Sequence, residues 1–399
     1  MSYPVIRLRP KADARRIRHG HPWVYGTDIV SDRRTKALAP GALAVLEDSA
    51  REALGLVALS PASRIMARML DRDPAAQIDG DWIKDKLTRA LTLREALFDA
   101  PYYRLVHAEA DGLPGVVIDR FADLAVIQPN AAWADRRAED FAQALCEVVG
   151  VTTVILNGSG RARALEGLED ERRVLIGTAP EAPLQVPMNG AVYLADVMEG
   201  QKTGLFFDQR PNHAFAAAFA KEARVLDVFS HVGGFGLAAL ASGAAHVLAV
   251  DGSAPALTLA QGGAAAMGAE ARFETRQGDA FKTLEALAAE GARFDVVICD
   301  PPAFAPAKSA LEAGLRAYER VARLAAPLVN AGGLLGLCSC SHAAELGKFR
   351  NASIRGIGKA LDGSGRQAQL IQTGFAGPDH PQHVALAESA YLKSLFFRL

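Results

Sequence analysis

A short run near the carboxyl end, Cys338-Ser339-Cys340-Ser341-His342, carries the residue type best suited to forming a covalent bond with a substrate. A thiolate can add to C6 of a pyrimidine ring. C5 then becomes electron-rich enough to take a methyl group from a sulfonium donor. A base nitrogen needs no such covalent help. The apolar residues at 334–338 read as a strand, and alternation places Cys338 and Cys340 on one face, with Cys340 nearer the end. The same spacing also suits two small buried core residues. From the spacing alone both roles stay open. His342 could lower the thiol pKa or hold phosphate, or be a plain loop residue.

A second constellation is Asp300-Pro301-Pro302-Ala303-Phe304, after a strand expected at 294–300. Two prolines stiffen the backbone, so an acid and an aromatic ring can point into a cleft at fixed angles. An Asp can bond the edge of a planar base and Phe304 can stack on its face. Neither serves hydride transfer. Upstream, Asp227-Val228-Phe229-Ser230 ends a strand and leads into Gly233-Gly234-Phe235-Gly236. Such a loop lets a ligand approach the backbone at a helix N-terminus. Asp251 ends the next strand, where a carboxylate can accept from both ribose hydroxyls. Asp279, in Gly278-Asp279-Ala280-Phe281, could read an adenine amine. A glycine loop with a later acid also fits a dinucleotide, but the full G-x-G-x-x-G order is missing.

These residues need elements to hold them. Beyond residue 186 strands expected at 225–229, 246–251, 294–300 and 334–338 alternate with helical stretches. That grammar implies a doubly wound, mostly parallel sheet with right-handed crossovers. Asn189-Gly190, between two alternating runs, signals a hairpin. Residues 1–70 read as short strands and turns. The middle reads as compact α+β, with helices at 74–100 and 135–148 and strands near 105, 116–118, 124–127 and 151–156.

Composition sets the frame. The chain has 399 residues, 50% hydrophobic and 22% charged, with net charge -1. That is an ordinary globular composition and gives no overall nucleic-acid signature. Its first twenty residues nevertheless carry Arg7, Arg9, Lys11, Arg15, Arg16 and Arg18 against Asp13. A local basic face can bind phosphate. Four cysteines, with no second Cys/His pair at zinc-ligand spacing, suit a reducing cytoplasm better than a disulfide framework. The apolar stretch at 237–250 is broken by Ser242, Gly243 and His246, so no membrane span is expected.

Together these residues resemble the bacterial large-subunit ribosomal RNA cytosine-C5 methyltransferases that carry an N-terminal PUA domain. The likeness runs along nearly the whole chain. It includes Gly20-His21-Pro22-Trp23, Asp111-Gly112-Leu113-Pro114-Gly115 and Glu199-Gly200-Gln201-Lys202-Thr203-Gly204. It continues through Phe207-Asp208-Gln209-Arg210, Ser339-Cys340-Ser341, Asp379-His380-Pro381 and Tyr391-Leu392-Lys393. The resemblance implies a PUA-like RNA-binding domain at 1–72, an α+β middle domain at 73–185 and a Rossmann-like methyltransferase domain at 186–399. It implies S-adenosylmethionine as cofactor and ribosomal RNA as partner. It implies Cys340 as nucleophile, Asp300 holding the cytosine, and Lys202, Phe207, Asp208 and Arg210 framing the methionine end of the cofactor. Asp227, Phe229, Ser230, Gly233, Gly234, Asp251, Asp279 and Asp300 complete the expected cofactor set. Phe304, Arg7, Arg9 and Lys11 form the expected substrate set. The likeness breaks at Ala303, where the cytosine enzymes carry Lys. No second cysteine stands there for product release, and the base that takes the C5 proton is unassigned. Methylation of a guanine or adenine nitrogen by the same fold, and a non-catalytic RNA-binding assembly factor, are the competing expectations. The sequence leaves a homodimer open.

Overall fold

In the computed structural model, which describes residues 3–200 and 203–399, the apolar runs at the start of the chain become a five-stranded sheet. Its strands are β1 (Val5–Arg7), β2 (Trp23–Tyr25), β3 (Leu43–Glu47), β4 (Ala53–Leu59) and β5 (Ile65–Asp71), in the order β1-β3-β4-β5-β2. Leu46, Val57, Leu59 and Ala67 close its core. The basic run is partly helical. Asp13 caps Ala14–Arg18 by accepting from Arg15 and Arg16 N–H, which supplies donors at a helix start with an acceptor.

The middle region builds a second sheet from β6 (Tyr102–His107), β7 (Val116–Phe121), β8 (Leu124–Pro129), β9 (Thr153–Gly158) and β10 (Glu171–Ile176). Helices Gly80–Leu97 and Ala138–Val149 supply Ile83, Leu87, Ala90, Phe141 and Leu145 to its core, as the helical spacing implied. Arg94 on the first helix is also fully buried, which periodicity did not signal. Its guanidinium meets Asp111 at 2.6 and 2.8 Å and donates to the Asp379 carbonyl at 2.9 Å. A buried charge survives only when paired and hydrogen-bonded in this way. The Asp379 carboxylate in turn accepts from Arg104 N–H at 3.1 Å.

Chain contacts group these two sheets, with Thr203 and Pro378–Ser389, into one unit. Between its sheets, Trp23 Nε1 donates to Glu109 at 2.8 Å and Arg68 reaches Glu109 at 3.1 Å and Glu166 at 2.9 Å. The other unit comprises Ala182–Asp196, Gly204–Gly377 and Ala390–Leu399. It begins with the expected hairpin, β11 (Leu184–Met188) and β12 (Ala191–Ala195). Asn189 and Gly190 both take positive φ, 54° and 74°, the signature of a type I′ turn.

The second unit is built on seven strands: β13 (Arg224–Val228), β14 (His246–Asp251), β15 (Phe273–Gln277), β16 (Phe294–Cys299), β17 (Val329–Ser339), β18 (Gln369–Gly374) and β19 (Lys393–Arg398). Their order is β15-β14-β13-β16-β17-β19-β18. The sheet is parallel except for β19, which runs antiparallel between β17 and β18. Helices cover both faces, and Leu226, Val297, Leu335, Tyr318, Phe349 and Phe397 share one core. This is the α/β doubly wound class expected from the sequence. Strand order reverses at β13, so the crevice of the sheet opens at its carboxyl end. Among the described residues no helix is long and apolar enough to cross a membrane.

Candidate active site

The residues following β13 occupy that crevice. Phe229 and His231 adopt φ of 61° and 49°, and Gly233 one of 82°. Two non-glycine residues in the left-handed region are costly, and such strain concentrates at ligand sites. The glycines that follow are required by the protein itself. A Cβ on Gly234 would stand 2.8 Å from Nε2 of the buried His213. Helix Gly234–Ala241 therefore starts close against its neighbour, and Gly236 N–H donates to Asp227 Oδ2 at 2.8 Å.

Asp227 is fully buried, and its other oxygen has no partner among the described residues. Burial pushes its pKa up to about 7 against the Gly236 N–H, with the Asp251 charge adding to the rise. Ser230 Oγ is also buried, with no partner among the described residues. Asp251 accepts from His231 N–H at 2.9 Å and Ser253 N–H at 2.8 Å, which fixes a half-buried carboxylate at the end of β14. Asp279 caps the helix Ala280–Ala289 through Lys282 N–H at 2.9 Å and is otherwise exposed. Unsatisfied buried oxygens beside a fixed carboxylate suit a ligand that brings cationic and hydroxyl donors. S-adenosylmethionine has an ammonium group and a ribose diol, so the residues present fit it.

The next group gathers at the end of β16. Asp300 is half-buried, and its Oδ2 accepts from Gln209 Nε2 at 2.9 Å. Gln209 is oriented by Asn212, which donates to its Oε1 at 2.7 Å. Asp208 accepts from Tyr391 OH at 2.6 Å, while its Oδ1 is buried without a partner among the described residues. Phe207 is fully buried, with the Arg210 guanidinium 5.5 Å from its ring centre. Lys202 lies outside the described residues. Phe304 is half-buried and packs its ring on Tyr318 at 5.0 Å, Phe281 at 6.1 Å and Phe229 at 6.2 Å. It joins an aromatic cluster as well as edging the crevice.

Three cysteines lie on or just beyond the strands of this sheet, and the structure treats them differently. Cys299 and Cys338 are buried, and burial pushes both thiols well above their ordinary range. Cys338 Sγ lies 3.2 Å from Ser394 Oγ. Cys340 falls one residue past the end of β17 and is half-buried. Its neighbours Ser339 and Ser341 are fully buried and both bond Tyr318 OH, at 2.9 and 2.7 Å. Ser341 Oγ also accepts from Ala305 N–H at 2.9 Å. These bonds tie the turn carrying Cys340 to the segment after Asp300. Lys393, at the start of β19, donates to the Ser341 carbonyl at 2.7 Å. His342 is exposed, with its ring 5.7 Å from that of Tyr391.

The basic residues singled out near the start belong to the first unit. Arg7 is held by Glu47 at 2.9 Å, which spends part of its charge internally. Arg9 is exposed, though its Nε donates to the Ile29 carbonyl at 2.9 Å, and Lys11 is exposed. Sequence reasoning missed Gln209, Tyr318, Ser341 and Lys393 as site residues. Gln209, Ser341 and Lys393 sat inside motifs already noted. Tyr318 carried no signal, because only packing brings its helix, Leu311–Ala325, beneath the Cys340 turn.

Residues 6–72 match the family of PUA-like domains, and residues 170–350 match the S-adenosylmethionine-dependent methyltransferase family. A ribosomal RNA large subunit methyltransferase I from Shewanella denitrificans is 35% identical over 398 residues, spanning 99% of both chains. The protein of that name from Aliivibrio fischeri is 34% identical, spanning 96% of both. Among solved structures, an inferred SAM-dependent methyltransferase from Streptococcus mutans superposes with a TM-score of 0.82 at 17% identity, covering 99% of this chain and all of its own. An inferred methyltransferase solved with S-adenosylhomocysteine gives 0.82 at 18% identity, with both chains fully covered. At such identities the structural likeness concerns the fold.

Proposed function

The chain belongs to the ribosomal RNA large subunit methyltransferase I family, and from that premise we propose that it methylates C5 of a cytosine in large-subunit ribosomal RNA through Cys340. The observation that carries this reading is the contrast among the sheet cysteines: Cys299 and Cys338 are sealed as thiols, while Cys340 is half-buried beyond the end of β17. Bound S-adenosylmethionine supplies an electrophilic methyl group. Asp227, Ser230, Asp251 and Asp279 would hold it, with Phe207, Asp208 and Arg210 toward its amino-acid end. Phe229, Gly233 and Gly234 shape the backbone of that crevice.

The residues of the chain do the rest. The target base must leave its stack to be reached. Asp300, braced by Gln209, takes the polar edge of the cytosine, and Phe304 offers an aromatic wall. The Cys340 thiolate adds to C6; the C5–C6 double bond gives its electrons to C5, the atom that accepts the methyl. The C5 proton then goes to a base, its electron pair restores the double bond, and the thiolate is expelled. Arg9 and Lys11, with Arg7 beside them, would meet RNA phosphates. The place of action is wherever ribosomal RNA is assembled, the cytoplasm in a bacterium.

Cys340→Ala tests the reading. Methyl transfer from labelled cofactor to RNA lacking the modification should fall at least ~10³-fold, as for loss of a covalent nucleophile. Full activity would rule out the adduct. Nucleoside mass spectrometry should find 5-methylcytidine as product; an N-methylguanosine or N-methyladenosine in its place would overturn the C5 assignment. No methylated nucleoside at all, with RNA still bound, would mark an assembly factor.

A further inference from the structure

Lys393 is a buried cation, 4% exposed, at the first position of β19. The antiparallel register pairs it with Ser339. From there its ammonium reaches over the end of β17 to the Ser341 carbonyl at 2.7 Å. One neutral acceptor leaves two N–H groups of a desolvated cation to be satisfied. Among the described residues it forms no ion pair with a carboxylate, and the charge that acts in its favour is that of Cys340. A buried ammonium without an anion is strongly disfavoured, so the fold keeps Lys393 at a cost unless an anion stands beside it.

We propose that Lys393 is the positioning residue that holds Cys340 as a thiolate, an ammonium fixed beside the sulfur by the Ser341 carbonyl. This deepens the reading of Cys340 as nucleophile and rests on it. The geometry brackets one turn from two sides. Tyr318 hydroxyl grips the Ser341 side chain at 2.7 Å while Lys393 grips its carbonyl, and Cys340 lies immediately ahead. A thiolate is the attacking species, and a neighbouring cation is the usual means of producing it near neutral pH. Burial pushes the Lys393 pKa down to about 8, with Cys340 pulling the other way. The side chain thus still carries its charge at neutral pH. The other titratable groups on the elements packed around the pair are Tyr318, Asp300, Cys338, His342 and Tyr391. Tyr318 is raised mainly by burial, with the Cys340 charge adding to the rise.

The test reads the thiol itself. Alkylation of Cys340 by iodoacetamide is followed from pH 5.5 to 10 on the full-length protein, by mass spectrometry of the peptide that contains it. In the wild type the midpoint should lie at least about one pH unit below the ~8.5 of a free cysteine. In Lys393→Met it should rise by about one unit or more, and Lys393→Arg should restore part of the shift. A wild-type midpoint at ~8.5 or higher overturns the proposal. So does a midpoint unmoved in Lys393→Met that still binds S-adenosylhomocysteine. If Lys393→Met does not fold, the wild-type midpoint and Lys393→Arg decide. Failure here is distinguishable from failure of the parent reading. An ordinary thiol together with an inactive Cys340→Ala sinks the Lys393 role alone. A shifted thiol together with a fully active Cys340→Ala sinks the nucleophile while keeping the pair.

Discussion

Asp227→Asn should stabilise the ligand-free protein and disable it. The wild-type carboxyl is fully buried, with one oxygen unpartnered among the described residues, and its pKa stands at about 7 against an unfolded value of 3.8. An acid whose folded pKa is raised binds its proton more tightly when folded. Its contribution is therefore fully present below pH ~4 and is lost as pH rises to about 7. Across about three pH units, at ~1.4 kcal/mol each, the ionised carboxylate costs about 4 kcal/mol at pH 8. Asn keeps an oxygen for Gly236 N–H and carries no charge. Urea unfolding without ligand, at pH 5.5 and pH 8, measures the outcome. The variant should gain on the wild type at both, and its lead should grow by ~2 kcal/mol between the two, from the ~1.5 units that remain below pH 7. Calorimetry with S-adenosylhomocysteine should show affinity lost in the variant, a trade of function against stability common at binding sites. A lead that stays constant within ~0.5 kcal/mol would refute the reasoning, because it would mean that Asp227 does not titrate in this window.

Two further outcomes follow from the geometry. Ser341→Ala should lower stability by ~1–3 kcal/mol in thermal or urea unfolding, because it strands Ala305 N–H in the core while Tyr318 OH keeps its bond to Ser339; a loss under ~0.5 kcal/mol would mean that Ala305 N–H finds another partner. The Arg9→Ala, Lys11→Ala double variant should weaken RNA binding at low salt and reduce the slope of log affinity against log salt by about one to two, while an unchanged slope would remove both residues from the phosphate contacts.

Much of the frame could be read before any coordinates. The Asn189-Gly190 turn requires two positive φ values and found them, because turn chemistry is local. Strands β13, β14 and β16 announce themselves as apolar runs ending in Asp or an Asp-Pro-Pro break. β18 and β19 did not, since a strand slipped antiparallel between distant partners leaves little trace in its own residues. Alternation set Cys338 and Cys340 on one face, apart from the serines between and after them. It could not tell which thiol is sealed, because β17 ends at Ser339 and Cys340 leaves the strand. Phe304 shows the same limit: its spacing implied a ring facing a ligand, and packing also gave it Tyr318, Phe281 and Phe229 as neighbours.

The sequence by itself determined the class of chemistry, since residue types at strand ends set what a doubly wound sheet can bind. It determined the glycine loop after β13, because Gly233 must adopt a left-handed conformation and Gly234 has no room for a Cβ. Tertiary structure alone decided the electrostatics. Asp227 is raised, Cys338 is sealed and Lys393 is brought beside the Cys340 turn by burial and by strand pairing across more than fifty residues. Charge in a protein is governed by what surrounds a group after folding, and those surroundings come from parts of the chain that local spacing does not connect.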